Sequence, residues 1–524
     1  MIIESSNTEP YVESKGSHDF WIVEAIWGHR IERQPYSALM LEFLGMAEGM
    51  HRAGALFERT RPGEKHVYEA QRSLQLRNIL FKNPNMEEIL RDSLEHDDSA
   101  WTAWLKDMAE NASVGSTLTP DFSYLRARFD SFKELVNVVK LLRNIAIDPG
   151  SDRAWTTQFI FPIGPAALYE ALFEKKGGGL ESTRRVFTRT GELAYLMLSR
   201  ASEHVRSRLR KGLLPSLDPT ESRNKLILRL LSGSKPELGP AKSGTYLPYV
   251  EHPAYDRMAT DIASILELDL PNQDSFQYIQ PLLGLHIYLY AVETANNWMG
   301  GVGIPNIVCE ILAPRSDLVR KAALASYMDN DGLGLGAVRA YIEKIVLADE
   351  TLQSALQSTD LDDISRREAL LEHLREHCAL NKDITLQPSD SATMLKEFCA
   401  KAENYYKTYT ADGLVGIGTG CGLVSRRGTS RLRYAPTDEL LRCLVLANVT
   451  TPIEETAFLR LLFDRYRIII GPLEARGAVP PSIFDETDFK KNRDRFGQHL
   501  IGLGLARRMS DACTYVINPM DKRA

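Results

Sequence analysis

Apolar residues recur every three or four positions along most of this 524-residue chain, and few stretches alternate at period two. That pattern belongs to a helical protein. Over 19–54, Trp21, Ile22, Ala25 and Ile26 share one helix face, Leu39, Leu41, Phe43 and Leu44 load a second, and Pro35 separates the two. The same spacing predicts helices over 64–81, 86–94 and 101–112, the last behind the capping run Asp97, Asp98 and Ser99. From 120 to 146, apolar positions from Phe122 to Leu142 predict one long amphipathic helix. A strand over 155–161, a turn through Phe161, Pro162, Ile163, Gly164 and Pro165, a helix over 166–173 and a glycine loop over 175–179 come next. A basic helix follows over 191–213, with Arg184, Arg185 and Arg189 before it; Glu181, Glu192 and Glu203 are interleaved, as on a solvated face.

A Ser-, Gly-, Pro- and Lys-rich stretch over 232–246 reads as a linker. Helices are then expected over 255–266, 279–298, 318–328, 336–348, 364–379 and 389–409, with Asp329, Asn330, Asp331 and Gly332 as a turn between two of them. Gly416, Gly418, Gly420 and Gly422 alternate at period two, which suggests a glycine-rich hairpin rather than a nucleotide loop, because no Lys-Ser or Lys-Thr follows.

The last segment has the most specific order. Thr437 with Asp438 and Glu439 opens a helix, Thr451 and Pro452 open a second, and Ile468 to Ile470 make a short strand. A third helix over 485–503 buries Phe489, Phe496, Leu500 and Leu503, and strands over 505–509 and 514–517 close the chain. Two helices, a strand, a helix and a terminal hairpin is the winged-helix order. The expected fold is therefore mainly α and multidomain, with few short strands and a C-terminal winged-helix-like module. Its segments are an N-terminal helical domain (1–115), a helical domain with a short strand and a basic helix (116–231), the linker (232–246), a helical domain (247–410), the glycine-rich hairpin or linker (411–436) and the winged-helix-like domain (437–524).

Charge sharpens this picture. The chain carries a net −6, yet from Val424 onward 17 Lys and Arg stand against 12 Asp and Glu, +5, leaving −11 for the rest. A basic end on an acidic body hints at a polyanion-facing module. Lys490, Lys491, Arg493 and Arg495 on the third helix, with Arg507 and Arg508 entering the wing, are the candidate duplex-DNA contacts. Asp485, Glu486, Asp488 and Asp494 dilute them, and the same module often serves protein contacts, so a pure scaffold stays open.

Enzymatic signals are thin. His373 and His377 with Glu376 match the inverted zinc-protease pattern, and Arg367 with His373 fits the spacing of HEPN-type ribonucleases, but the helix that carries them is charged nearly all round. No catalytic residue, metal site or cofactor is assigned; a HEPN-like or metal-dependent hydrolase remains a further alternative. The six cysteines form no C-x-x-C pair and suit reduced thiols. With no apolar run of eighteen residues and no signal-like start, the expected setting is cytoplasmic, away from the membrane.

The run from Phe20 to Arg30, the turn at 161–165 with Leu168 and Tyr169, Arg189 to Leu193 and the tail 505–519 resemble uncharacterised accessory proteins of bacterial phage-defence islands, of the methylation-associated defence type. The resemblance implies an antiviral defence role, with protein partners from the same operon, and supplies no chemistry to carry over. The function expected is that of a non-catalytic, DNA-associated adaptor or structural component of such a system.

Overall fold

The computed structural model describes residues 7, 22–28, 31, 33–34, 36–59, 66–70, 72–73, 75–93, 96–112, 121–145, 170–174, 180–182, 190–218, 220, 222–231, 241–245, 247–268, 270–271, 274–311, 313–314, 317–346, 348–378, 386, 390–426, 431–509 and 513–520. The expected strand at 155–161, the turn at 161–165, the glycine loop at 175–179 and the arginines at 184, 185 and 189 lie outside them.

Helices dominate the first half: α1 (Ile22–Trp27), α2 (Tyr36–Arg52), α3 (Gln75–Phe81), α4 (Met86–Asp92), α5 (Asp97–Asn111), α6 (Phe132–Ile145), α7 (Thr190–Ser199), α8 (Glu203–Leu213) and α9 (Ser222–Leu230). Short strands β1 (His66–Ala70), β2 (Arg72–Ser73), β3 (Glu170–Glu174), β4 (Leu180–Ser182) and β5 (Ala241–Thr245) lie among them. The second half adds α10 (Pro253–Leu266), α11 (Phe276–Trp298), β6 (Ile307–Val308), α12 (Leu318–Val346), α13 (Glu350–Gln357), α14 (Asp363–Cys378), α15 (Ser391–Tyr406) and α16 (Asp412–Gly420). The chain ends in β7 (Val424–Ser425), β8 (Arg433–Tyr434), α17 (Asp438–Asn448), β9 (Ile453–Glu454), α18 (Glu455–Tyr466), β10 (Ile468–Ile469), α19 (Pro472–Ala475), α20 (Glu486–Gly502), β11 (Ala506–Arg508) and β12 (Thr514–Val516). The protein is mainly helical, and no strand among the described residues exceeds five residues. No helix among them is long and apolar enough to cross a membrane.

Helix α11 is the axis. It is buried on nearly every side, as a helix apolar all round must be, and packs on α2, α10, α12, α16 and α17. The main core gathers residues from 22–57 and from 193–516 around it. A second core takes Leu76 to Leu142 together with Ile227 and Leu230 and centres on Trp101, Trp104 and Phe132. The cores join elements distant in the chain: α17, α18 and β12 contribute to the main core with α1, α2 and α7, and α9 joins the core of α3 to α6.

Several local expectations are corrected. Residues 66–70 and 72–73 form strands and not the start of a helix; β1 pairs antiparallel with β5, inside the expected linker, and β2 pairs with β3. Of the helix expected over 166–173, the described residues 170–173 instead belong to β3, paired with β2 and β4, and 166–169 lie outside the described residues. The long helix of 120–146 splits into a 3-10 turn (Ser123–Ala127) and α6, whose start is fixed where Ser131 Oγ accepts from Glu134 N. Residues 329–332 are an interior stretch of α12 and not a turn.

The alternating glycines lie in α16 and its exit, not in a hairpin; the hairpin comes next, as β7 and β8. They serve close approach. A Cβ on Gly420 would sit 2.4 Å from the Tyr36 ring, and Gly422 ends the helix at φ +84°, where glycine alone is unstrained.

The body also contains a pH-sensitive cap. His252 heads α10, its Nδ1 accepting the Ala254 amide at 3.1 Å, and burial, then the charge of Arg257, holds its pKa down to about 3. An unfolded histidine titrates near 6.5, so below that pH the unfolded chain binds a proton that the folded chain refuses. Stability is full above about 6.5 and declines as pH falls towards 3, by about 2 kcal/mol at pH 5 from this residue. The thermal midpoint should drop between pH 7 and pH 5, and drop less in His252→Asn, which keeps a capping acceptor; equal drops in the two proteins would contradict this role.

Candidate nucleic-acid interface

The C-terminal unit is built from local signals. Thr437 caps α17 by accepting the Leu440 amide at 3.3 Å, and Asp485 caps α20 by accepting the Asp488 amide at 2.9 Å. Acidic Asp438 and Glu439, and Glu486 and Asp488, sit in the first turns, where the helix dipole favours them. Pro452 does not open α18 as expected. Ile453 and Glu454 form β9, and Glu454 is the capping residue of a helix that begins at Glu455.

The reason is sheet pairing. Antiparallel β11 and β12 form the terminal hairpin, and β12 pairs on its other side with β9, giving the order β11-β12-β9. Ala506, Val516 and Ile453 follow one face of this sheet, and Ala506 and Val516 are buried; Arg507, Tyr515 and Glu454 follow the exposed face.

Helix α20 has two sides. Phe489, Asn492, Phe496, Gly497 and Leu500 are buried, and Phe496 stacks on Phe458 of α18. Lys490, Lys491, Asp494 and Gln498 are exposed. Asn492 is the anchor of the inner side: its Oδ1 accepts the Ile311 amide at 2.7 Å, and its Nδ2 donates to Cys309 O at 3.0 Å and Ile470 O at 2.9 Å. Next to it, β10 pairs in parallel with β6, and Val308, Val319, Ile469, Ala475 and Phe489 pack as a small core.

Two buried ionic clusters complete the attachment. Glu310 accepts from Arg320 at 2.7 Å and from Arg433 at 2.6 Å, and both Glu310 and Arg433 are fully buried. Asp261 of α10 is bonded by His286 at 2.8 Å, by the Tyr466 hydroxyl at 2.5 Å and by Arg465. Burial pushes the Asp261 carboxyl up, but His286, Arg465 and Tyr466 outweigh it and hold the pKa below the usual value. Burial lowers His286 despite Asp261. This cluster has the residue types of an acid–base site, yet His286, Asp261 and Tyr466 are sealed from solvent, so it reads as structural.

The six cations named from the sequence divide unequally. Lys491 pairs with Asp488 at 3.4 Å, Arg493 with Asp494 at 2.7 Å, and Arg495 with the nearly buried Asp317 at 3.3 Å. Lys490 and Arg507 have no carboxylate partner among the described residues, and Arg508 is exposed beside Arg507. Residues 510–512, between β11 and β12, lie outside the described residues.

Elsewhere, α14 carries Arg367 half-buried and His373 with its Nδ1 3.6 Å from Asp349; the His377 side chain is outside the described ones. Among the described residues no group of three or more His, Cys, Asp or Glu side chains is arranged to hold a metal ion. Cys309, Cys399, Cys421, Cys443 and Cys513 are free thiols, and burial pushes Cys421 up to about 12. Comparison with protein-family models, with curated proteins and with solved structures finds no match.

Proposed function

We propose that residues 437–520 act as a winged-helix-like module contacting duplex DNA, within a non-catalytic adaptor. The observation that carries this reading is the pairing of β9 with β12, because a strand between the first two helices that joins the terminal hairpin is what distinguishes a wing from a loose β-hairpin. The exposed face of α20 then presents Lys490 and Lys491, and the wing presents Arg507 and Arg508. Phosphate contacts of this kind position a protein on the duplex without reading sequence. The setting, an anti-phage defence operon in the cytoplasm with partners encoded alongside, rests on the motif resemblance alone.

The experiment is a titration of duplex DNA with the native protein and with a variant carrying Lys490→Glu, Lys491→Glu, Arg507→Glu and Arg508→Glu. All four side chains are exposed, so the fold should survive, and binding should fall at least about a hundredfold. Equal binding by the two proteins would remove the DNA contact from this surface. A scaffold role is favoured by one observation, the matching of Lys491, Arg493 and Arg495 with carboxylates. Unchanged co-purification of a protein encoded by a neighbouring gene with the variant, together with absent DNA binding by the native chain, would select it.

A further inference from the structure

Between the residues that follow α11 and the segment joining α18 to α20 lies an open cleft of about 560 Å3, within the roughly 300–1,000 Å3 typical of small-ligand sites. None of the cations assigned above to DNA lines it. Arg460, Arg467 and Arg476 do, together with Phe463, Leu473 and Asn306. Three guanidinium groups stand against one lining carboxylate, that of the nearly buried Glu474, and arginine offers fixed, forked donors suited to phosphate. The cleft is mainly polar, and its exposed apolar lining includes Leu473 and Val302, 66% and 90% exposed.

Arg467 is the informative residue. It ends α18 with φ +56° and ψ 24°, the left-handed conformation in which glycine is the unstrained choice. The turn needs its backbone, whose N–H bonds Phe463 O at 2.9 Å and whose carbonyl accepts the Ile307 amide at 2.9 Å. The turn does not need its side chain. That side chain has no carboxylate partner among the described residues and lies over the Phe463 ring, 4.8 Å from its centre. Arg460 lies over the same ring at 5.6 Å and leans on Asp464, and Arg476 bonds Glu486 at 3.0 Å. Both of those partner carboxylates are half or more exposed, so an incoming anion can displace them at small cost. Non-glycine residues held in the left-handed region concentrate at functional sites.

We propose that this cleft binds a nucleotide, with its phosphate on Arg460, Arg467 and Arg476 and its base against Leu473 and Val302. Two sources supply that chemistry, a free mononucleotide and the 5′-phosphorylated end of a nucleic-acid strand. Calorimetric titration of the full chain at low salt with AMP, with adenosine and with a 5′-phosphorylated single-stranded oligonucleotide separates them. Binding of AMP or of the strand, with adenosine at least about tenfold weaker, is expected, and the tighter of the two ligands names the source. Arg467→Gly is the decisive variant because glycine suits this turn better than arginine: its thermal midpoint should be unchanged or higher while phosphate-ligand affinity falls about ten- to a hundredfold. Absence of binding by every ligand, adenosine binding as tightly as AMP, or an Arg467→Gly protein that binds like the native chain overturns the proposal. Duplex binding through Lys490, Lys491, Arg507 and Arg508 stands or falls separately, because those side chains are outside the cleft.

Discussion

Asn492→Ala will destabilise the protein by about 3–6 kcal/mol, the sum expected when three buried backbone groups lose their partner at about 1–3 kcal/mol each, allowing for partial rescue by water. The side chain is fully buried and bonds Ile311 N, Cys309 O and Ile470 O together, tying α20 to the parallel pair β6 and β10. Asn492→Asp should be nearly as damaging, because the donor to two carbonyls becomes an acceptor. Urea unfolding read by circular dichroism measures the cost. Limited proteolysis adds its location, since cleavage after 437 should accelerate before cleavage within α10 or α11. A loss under 1 kcal/mol would mean that α20 is not held to the body in this way.

Glu310→Ala should cost about 3–5 kcal/mol, the range for breaking a buried ion pair by removing one partner. Here the loss falls on two cations at once. Arg433 is 2% exposed and loses its contact at 2.6 Å, and Arg320 loses a two-pronged contact at 2.7 and 3.3 Å. The exposed pair Arg208 and Glu267, also two-pronged at 2.7 Å, supplies the comparison: Arg208→Ala should cost no more than about 1 kcal/mol, because water already screens it. Equal shifts of the unfolding midpoint in the two variants would show that burial does not govern the Glu310 contacts.

Helix content was legible because its signal is local. The period of Phe489, Phe496 and Leu500, and the cap Thr437, are readable along the chain without knowledge of any neighbour. What failed needed a partner distant in sequence. His66 to Ala70 becomes a strand only because residues 241–245 lie beside it, and Ile453 leaves the expected helix for a strand because Val516 stands opposite. Gly420 looked like a turn residue, whereas its missing side chain makes room for Tyr36 nearly four hundred positions earlier. Which helices share a core is equally non-local, since compositional breaks mark loops and not packing partners.

The candidate site divides along the same line. The basic side chains of α20 and β11 could be named from spacing alone, but their availability could not. Arg495 answers to Asp317, some 178 positions away, which no local pattern reveals. The arginine cleft left one trace in the sequence, an arginine where the helix-ending turn before Ile468 calls for glycine or asparagine, and that trace becomes readable only once the backbone angle is known.

The duplex contact is tested most directly by its salt dependence. A fluorescently labelled duplex is titrated with the native protein between 50 and 200 mM salt, and the logarithm of the association constant is plotted against the logarithm of salt concentration. Two to four phosphates neutralised by Lys490, Lys491, Arg507 and Arg508 predict a slope of about −2 to −4, at about −0.9 per contact. A slope near zero, or no binding at 50 mM salt, would contradict a nucleic-acid-facing C-terminal module.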